Sequence, residues 1–272
     1  MKYGIMESFR MHHSEKEYGL ESERDRMQLF AEAKELGFHG VELGIGLDYK
    51  EDPLWTGCGD FHKAIKEKAQ ITGTKAASIC LHLLNYKEHS PASDRMGHRE
   101  AGREIISKSI EACACIGASV ILVPFFGTAA LRSEEQIQFL IREMRVLSKV
   151  AEDGGVYLSL ETSLKAPDLI RIVDSVGSDY VQVYFDVGNT ASMGYNMVQE
   201  IETLGERIVQ VHVKDYPGGS LGGGEVDFDE VIGALKKVGF DGYLMLETPS
   251  LDDSIKAASS NLAYIMRIVE GH

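Results

Sequence analysis

The chain has 272 residues, close to the ~250 of an eight-stranded β/α barrel and long enough to bury a large core as one domain over 1–272. Hydrophobic residues make up 44% and charged residues 26%, as in an ordinary soluble protein, and the formal net charge of -14 argues against nucleic acid or an anionic membrane as the main partner. The first seven residues include an acid and no apolar run of signal-peptide length, and no later run could span a bilayer, so a cytoplasmic location is expected.

Strand and helix patterns then alternate from end to end. Strand one is expected over 3–8, followed by a polar loop in which His12 and His13 read as solvated, and by a helix over 23–36 with Leu29, Ala33 and Leu36 on one face. Gly37-Phe38-His39-Gly40 ends that helix and leads into strand two, 41–45. A helix over 60–72 precedes strand three, 75–82, where Ser78, Cys80 and His82 share the inward parity. Glu42 and His82 thus stand at strand ends facing the cavity, each able to bind a substrate hydroxyl or to serve as a structural hydrogen bonder. A long helix with Ile106, Ile110, Cys113 and Gly117 at helical spacing leads to the apolar strand 120–126, which suits a sheet buried on both faces; Phe125 and Phe126 read as core residues or pocket walls. Ser133 is placed to cap a helix with an apolar stripe of Ile137, Leu140, Ile141 and Met144 and with Glu134 and Glu135 in its first turn. Strand five (157–161), a helix opened by Pro167, strand six (181–188), a helix over 196–204, strand seven (209–215), a glycine loop (217–224), a helix around Phe228 to Val238, strand eight (243–247) and a last helix complete eight units. No G-x-G-x-x-G follows the first strand, and eight parallel units without a remainder favour a closed (β/α)8 TIM barrel over an open doubly wound sheet. Cys58, Cys80, Cys113 and Cys115 show no zinc-type spacing, and Cys113 and Cys115 point to different sides of one helix; all four are expected to be reduced packing residues.

The chemistry gathers on four consecutive strands. In strand seven Val209, Val211 and Val213 share one face, and Gln210, His212 and Lys214 the other. Strands five, six and eight likewise carry outward apolar residues and end on inward Glu161, Asp186 and Glu247. One such group reads as a hydrogen-bonded structural residue. Three carboxylates and an imidazole at the same end of adjacent strands, the reactive end of such barrels, are hard to hold without a cation. An oxygen-rich shell suits Mn2+ or Mg2+, with Co2+ or Zn2+ as lesser fits, and should leave open positions for substrate oxygens. A divalent ion holding a carbonyl oxygen and the neighbouring hydroxyl oxygen acidifies the proton between them and stabilises the enediolate; Glu161 and Glu247, on opposite sides, could remove and return that proton. Two-sided exchange inverts the carbon, whereas one-sided shuttling between adjacent carbons interconverts aldose and ketose.

These residues resemble the xylose-isomerase-like barrel family of sugar and sugar-phosphate isomerases and epimerases over essentially the whole chain. The matching pieces are Gly40-Val41-Glu42-Leu43, the segment 98–124, Glu161, Phe185-Asp186-Val187-Gly188-Asn189, His212-Val213-Lys214-Asp215, the segment 222–228 and Leu246-Glu247. The resemblance implies one metal held by Glu161, Asp186, His212 and Glu247, with Glu161 and Glu247 as the acid/base pair of ketose 3-epimerases, and a homodimer or homotetramer. Free-ketose 3-epimerases place a histidine three residues after the strand-six aspartate and an arginine just beyond strand seven, where this chain has Asn189 and a glycine loop. Its Asp-x-Gly-Asn and His-x-Lys-Asp are closer to the phosphorylated-pentulose 3-epimerases. Asn189 and Lys214 are therefore candidate substrate-side residues, Lys214 otherwise pairing with a carboxylate. The glycine loop either offers N–H groups to a phosphate or acts as a lid. The substrate expected is a sugar or sugar phosphate, with C3 epimerisation the sharpest version of the activity. The alternatives are an inosose or polyol dehydratase on the same site, a non-catalytic sugar-binding barrel, and an abasic-site nuclease, which would need more metals and histidines.

Overall fold

The computed structural model of the chain describes residues 1–7, 23–248 and 253–271. Its strands are β1 (Lys2–Met6), β2 (Gly40–Ile45), β3 (Lys75–Leu81), β4 (Val120–Phe125), β5 (Tyr157–Thr162), β6 (Val181–Asp186), β7 (Ile208–Val213) and β8 (Tyr243–Leu246). They pair in parallel, in sequence order, and close from β8 back to β1, so the chain is a (β/α)8 barrel. The helices are α1 (Glu23–Leu36), α2 (Asp60–Thr72), α3 (Met96–Ile116), α4 (Glu134–Gly154), α5 (Ala166–Val176), α6 (Val187–Ser192), α7 (Met197–Leu204), α8 (Phe228–Lys237) and α9 (Ser254–Gly271). Among the described residues no helix is long and apolar enough to cross a membrane.

Strand alternation divides the apolar core in two. Outward residues such as Val211, Val213, Leu244 and Leu246 pack with the helices in the large core between sheet and helical ring. A small inner cluster of Met6, Cys80, Val120, Leu122 and Tyr184 fills the barrel itself. The helix signals read from sequence are realised: Ser133 and Gln136 form a reciprocal capping box on α4, and Pro167 sits in the first turn of α5.

Several boundaries differ from expectation. β4, β7 and β8 stop at Phe125, Val213 and Leu246, and β3 at Leu81, with His82 opening a 3-10 turn. The expected extension of β6 to residue 188 is corrected: Asp186 accepts the Asn189 N–H at 2.7 Å and caps α6, so Val187 and Gly188 are helical. The predicted end of strand one at Ser8, and His12 and His13, lie outside the described residues.

The reading of four reduced cysteines is corrected as well. Cys58 and Cys115 form a disulfide with Cα atoms 6.0 Å apart, while Cys80 and Cys113 are free and buried. The partners lie 57 positions apart, and what joins them is the packing of the loop before α2 against α3, where Lys108 Nζ also lies 4.0 Å from the Trp55 ring centroid.

One buried ion cluster fixes α1 to the strand ends. Arg26 is 2% exposed and donates to Glu7 Oε1 at 2.7 Å, to Asp52 Oδ1 at 2.6 Å and to the Gly44 carbonyl at 2.7 Å. Glu7 in turn accepts the Gly44 N–H at 2.6 Å, so every strong acceptor around the guanidinium is used. Replacing Arg26 with Ala strands Glu7 and Asp52 as unpaired buried charges; the expected loss is about 3–5 kcal/mol of unfolding free energy, read from urea denaturation midpoints.

Candidate active site and metal centre

The C-terminal ends of β5 to β8 bring the four expected groups to one place. Asp186 and His212 face each other across the β6–β7 pairing, Glu161 lies on β5, and Glu247 follows β8 directly. Among the described residues, ligand atoms of Glu161, Asp186 and His212 lie within 4.8 Å of one another. Glu247 stands beside this group, with Oε2 3.2 Å from His212 Nδ1, while Asp186 Oδ2 is 3.6 Å from the same nitrogen. Both Asp186 Oδ2 and His212 Nδ1 are buried and make no well-formed hydrogen bond. Two buried atoms without hydrogen bonds, converging with further carboxylates, fit a divalent cation, and an oxygen-rich shell with one imidazole is the donor set a hard or borderline ion takes.

The opposite ring nitrogen explains the orientation of His212. Its Nε2 lies 2.7 Å from Glu42 Oε1, and because a carboxylate accepts, Nε2 carries a proton and Nδ1 is the nitrogen turned to the cluster. Burial pulls the imidazole's pKa down, but the charges of Glu247 and Glu42 outweigh it and raise it well above its ordinary value, so a metal at Nδ1 would replace a proton there. Glu42 is itself fully buried, its Oε2 accepting from the Ser78 hydroxyl at 2.6 Å and from Tyr184 OH at 2.9 Å. Gln210 closes this polar layer by donating to Ser78 Oγ at 2.7 Å and to Tyr184 OH at 2.9 Å. Register shifts at Val41/Glu42 against β3 and at Val183/Tyr184 against β7 set Glu42 opposite Ser78 and Tyr184 opposite Gln210. Sequence reasoning placed Ser78 and Gln210 on the inward face but did not assign them, or Tyr184, to the support of the histidine. Their shared parity one layer below the ligands was the available signal.

Lys214 and Asn189 are drawn into the carboxylates. Lys214 Nζ lies 2.8 Å from Asp186 Oδ2 and 2.7 Å from Glu247 Oε2, and its stem runs across Gly188, where any Cβ would collide with it. Asn189 donates through Nδ2 to Glu161 Oε1 at 2.9 Å, so one residue touches both Glu161 and Asp186. His82 stands at the end of β3 with Nδ1 3.5 Å from Cys80 Sγ, and burial pushes its pKa down to about 4. The two glutamates are held differently. Burial, and then the neighbouring Asp186 charge, raise Glu161 well above the usual carboxylate range. Burial acts in the same direction on Glu247 but is outweighed by Lys214 and His212, which hold it well below that range.

Part of the glycine loop is occupied within the chain. Asp215 accepts N–H groups from Tyr216 at 2.8 Å, Gly222 at 2.9 Å, Gly224 at 3.0 Å and Val226 at 3.2 Å. The amides of Gly222 and Gly224 are therefore committed to a carboxylate within the chain, and a Cβ at Gly224 would collide with that carboxylate. Glycine serves here to let the backbone wrap its own anion closely.

Comparison with known proteins places this geometry in context. The chain is 26% identical over 213 residues to the uncharacterized protein MJ1311 of Methanocaldococcus jannaschii, covering 72% of each chain. It is 26% identical over 239 residues to L-ribulose-5-phosphate 3-epimerase UlaE of Escherichia coli (strain SMS-3-5 / SECEC), covering 82% of this chain and 81% of the relative. Among solved structures, D-allulose 3-epimerase from Methylomonas sp. superposes with a TM-score of 0.81 at 19% identity, covering 98% of this chain and 96% of the other; at that identity the likeness shows the fold. The family profile described as xylose isomerase-like TIM barrel matches residues 30–268, and with the closed eight-stranded barrel this establishes that the chain belongs to the xylose isomerase-like TIM barrel family.

Proposed function

We propose that the chain is a divalent-metal-dependent sugar epimerase acting on a ketose or ketose phosphate, with inversion at C3 as its reaction. The observation that carries this reading is the pair of buried atoms without hydrogen bonds, Asp186 Oδ2 and His212 Nδ1, converging with Glu161 at the reactive end of the barrel. The relative that acts on L-ribulose 5-phosphate supports the substrate class.

In this reading Glu161, Asp186, His212 and Glu247 hold Mn2+ or Mg2+, which when bound would acidify a C–H lying between two substrate oxygens. Glu161 and Glu247, on β5 and after β8, flank the substrate, one removing the C3 proton and the other delivering one to the opposite face. Asn189 orients Glu161 through its amide, and Lys214 orients Glu247 through its ammonium. Glu42 holds the Nε2 proton of His212 and so turns Nδ1 to the metal position.

Proton NMR in D2O on Mn2+-loaded protein with a panel of ketoses and ketose phosphates tests the reaction. Exchange at C3 with appearance of the epimer is expected; exchange at C1 with aldose formation would reassign the chain to aldose–ketose isomerisation, and loss of water to a dehydratase. Glu161→Gln and Glu247→Gln should each lower kcat by about 10²–10⁴-fold, and full turnover by both variants would sink the acid/base assignment. Glu42→Ala should weaken Mn2+ binding by about 10–100-fold, with Glu42→Gln losing less, and His212→Ala should lose the metal on elemental analysis.

A further inference from the structure

We propose that Lys214 is the resident counter-cation of this centre and competes with the divalent ion for it, so that metal affinity is set by how readily the ammonium leaves Asp186. The inference rests on the metal reading above and assigns to Lys214 a role beyond orienting Glu247. Asp186 Oδ2 is one of the two buried atoms without a hydrogen bond in the cluster, and the cation nearest to it is Lys214 Nζ, at 2.8 Å. That contact is an ion pair without hydrogen-bond geometry: the ammonium directs its well-formed hydrogen bond at Glu247 Oε2, 2.7 Å away. The lysine thus neutralises Asp186 by charge and leaves the oxygen's lone pair unspent.

A divalent ion taking that lone pair would place a second cation on the same oxygen, and in a buried site two such charges repel strongly. One of them yields, and the surroundings say which. The side chains of Asp186 and His212 are each 2% exposed and sit on the rigid ends of β6 and β7, whereas those of Lys214 and Glu247 are 24% and 29% exposed. Lys214 follows the last residue of β7 and reaches the cluster from the open side, its stem crossing Gly188, whose lack of a Cβ leaves the track free. Withdrawal along that track releases Asp186 while the hydrogen bond to Glu247 persists. Before the ion arrives, the same ammonium answers the crowding of Glu161, Asp186 and Glu247, which explains how the cluster stays assembled without metal.

The experiment compares wild type and Lys214→Met by Mn2+ titration, following the electron paramagnetic resonance signal of free aquated Mn2+, together with the melting temperature of each metal-free protein. The expected result is Mn2+ binding tighter by about tenfold or more in the variant, a lower metal-free melting temperature, and a larger rise in that temperature on adding Mn2+. If the metal-free variant does not fold, competition of the Mn2+-loaded variant against a calibrated chelator yields the same affinity ratio. Wild type that binds Mn2+ with a variant that binds equally or more weakly overturns the competition while leaving the metal centre standing. Absence of Mn2+ binding by both proteins overturns the metal reading and this inference with it.

Discussion

The constraint on which the rest of the site depends is the presence of Glu161, Asp186 and Glu247 around one imidazole at the end of a closed barrel. Carboxylates withdrawn from water need cations or donors, and an unanswered charge costs more than a typical domain can spare. Each neighbour of the cluster meets part of that requirement. Lys214 answers Asp186 and Glu247, Asn189 donates its side-chain amide to Glu161 and its backbone N–H to Asp186, and His212 lies against Asp186 and Glu247. The residual demand, two buried atoms without hydrogen bonds, is where the structure departs from full satisfaction, and such departures concentrate where chemistry occurs.

Beneath that end the barrel is polar for a second, structural reason. A TIM barrel interior is filled by layers of side chains, and here one layer is Glu42, Ser78, Tyr184 and Gln210 in place of branched aliphatics. The network is closed: each member has partners within the layer or in His212. Burial of a glutamate there is tolerable because both of its oxygens are occupied, and it sets the protonated nitrogen of the histidine above. The register shifts on β2–β3 and β6–β7 fall at this layer, so backbone irregularity and side-chain network are parts of one arrangement.

The barrel does not choose a reaction, since one fold carries many chemistries; the choice belongs to the groups at its mouth. Two features distinguish this mouth. In the loop after β7 the amides of Tyr216, Gly222, Gly224 and Val226 donate to Asp215, so this part of the glycine-rich segment wraps the chain's own carboxylate. Lys214 brings a positive charge to a place that otherwise holds carboxylates, and its stem requires glycine at position 188.

Much of this was legible in the chain. Period-two alternation between helical stripes pointed to parallel strands buried on both faces, and eight such units favour closure; the parity of Glu161, Asp186, His212 and Glu247 follows from the same geometry, because successive residues of a strand point to opposite faces. What sequence could not supply were contacts between residues far apart along the chain. Cys58 meets Cys115 through the packing of a loop on α3, Arg26 finds Glu7 and Asp52 across three elements, and Glu42 meets His212 across the barrel's interior. Local periodicity determined the fold and which residues face the axis, since both depend on backbone geometry repeated every few residues. The tertiary structure alone decided which of those inward groups touch, because hydrogen bonds and ion pairs depend on ångström-scale distances between strands whose register and bulges no local pattern specifies.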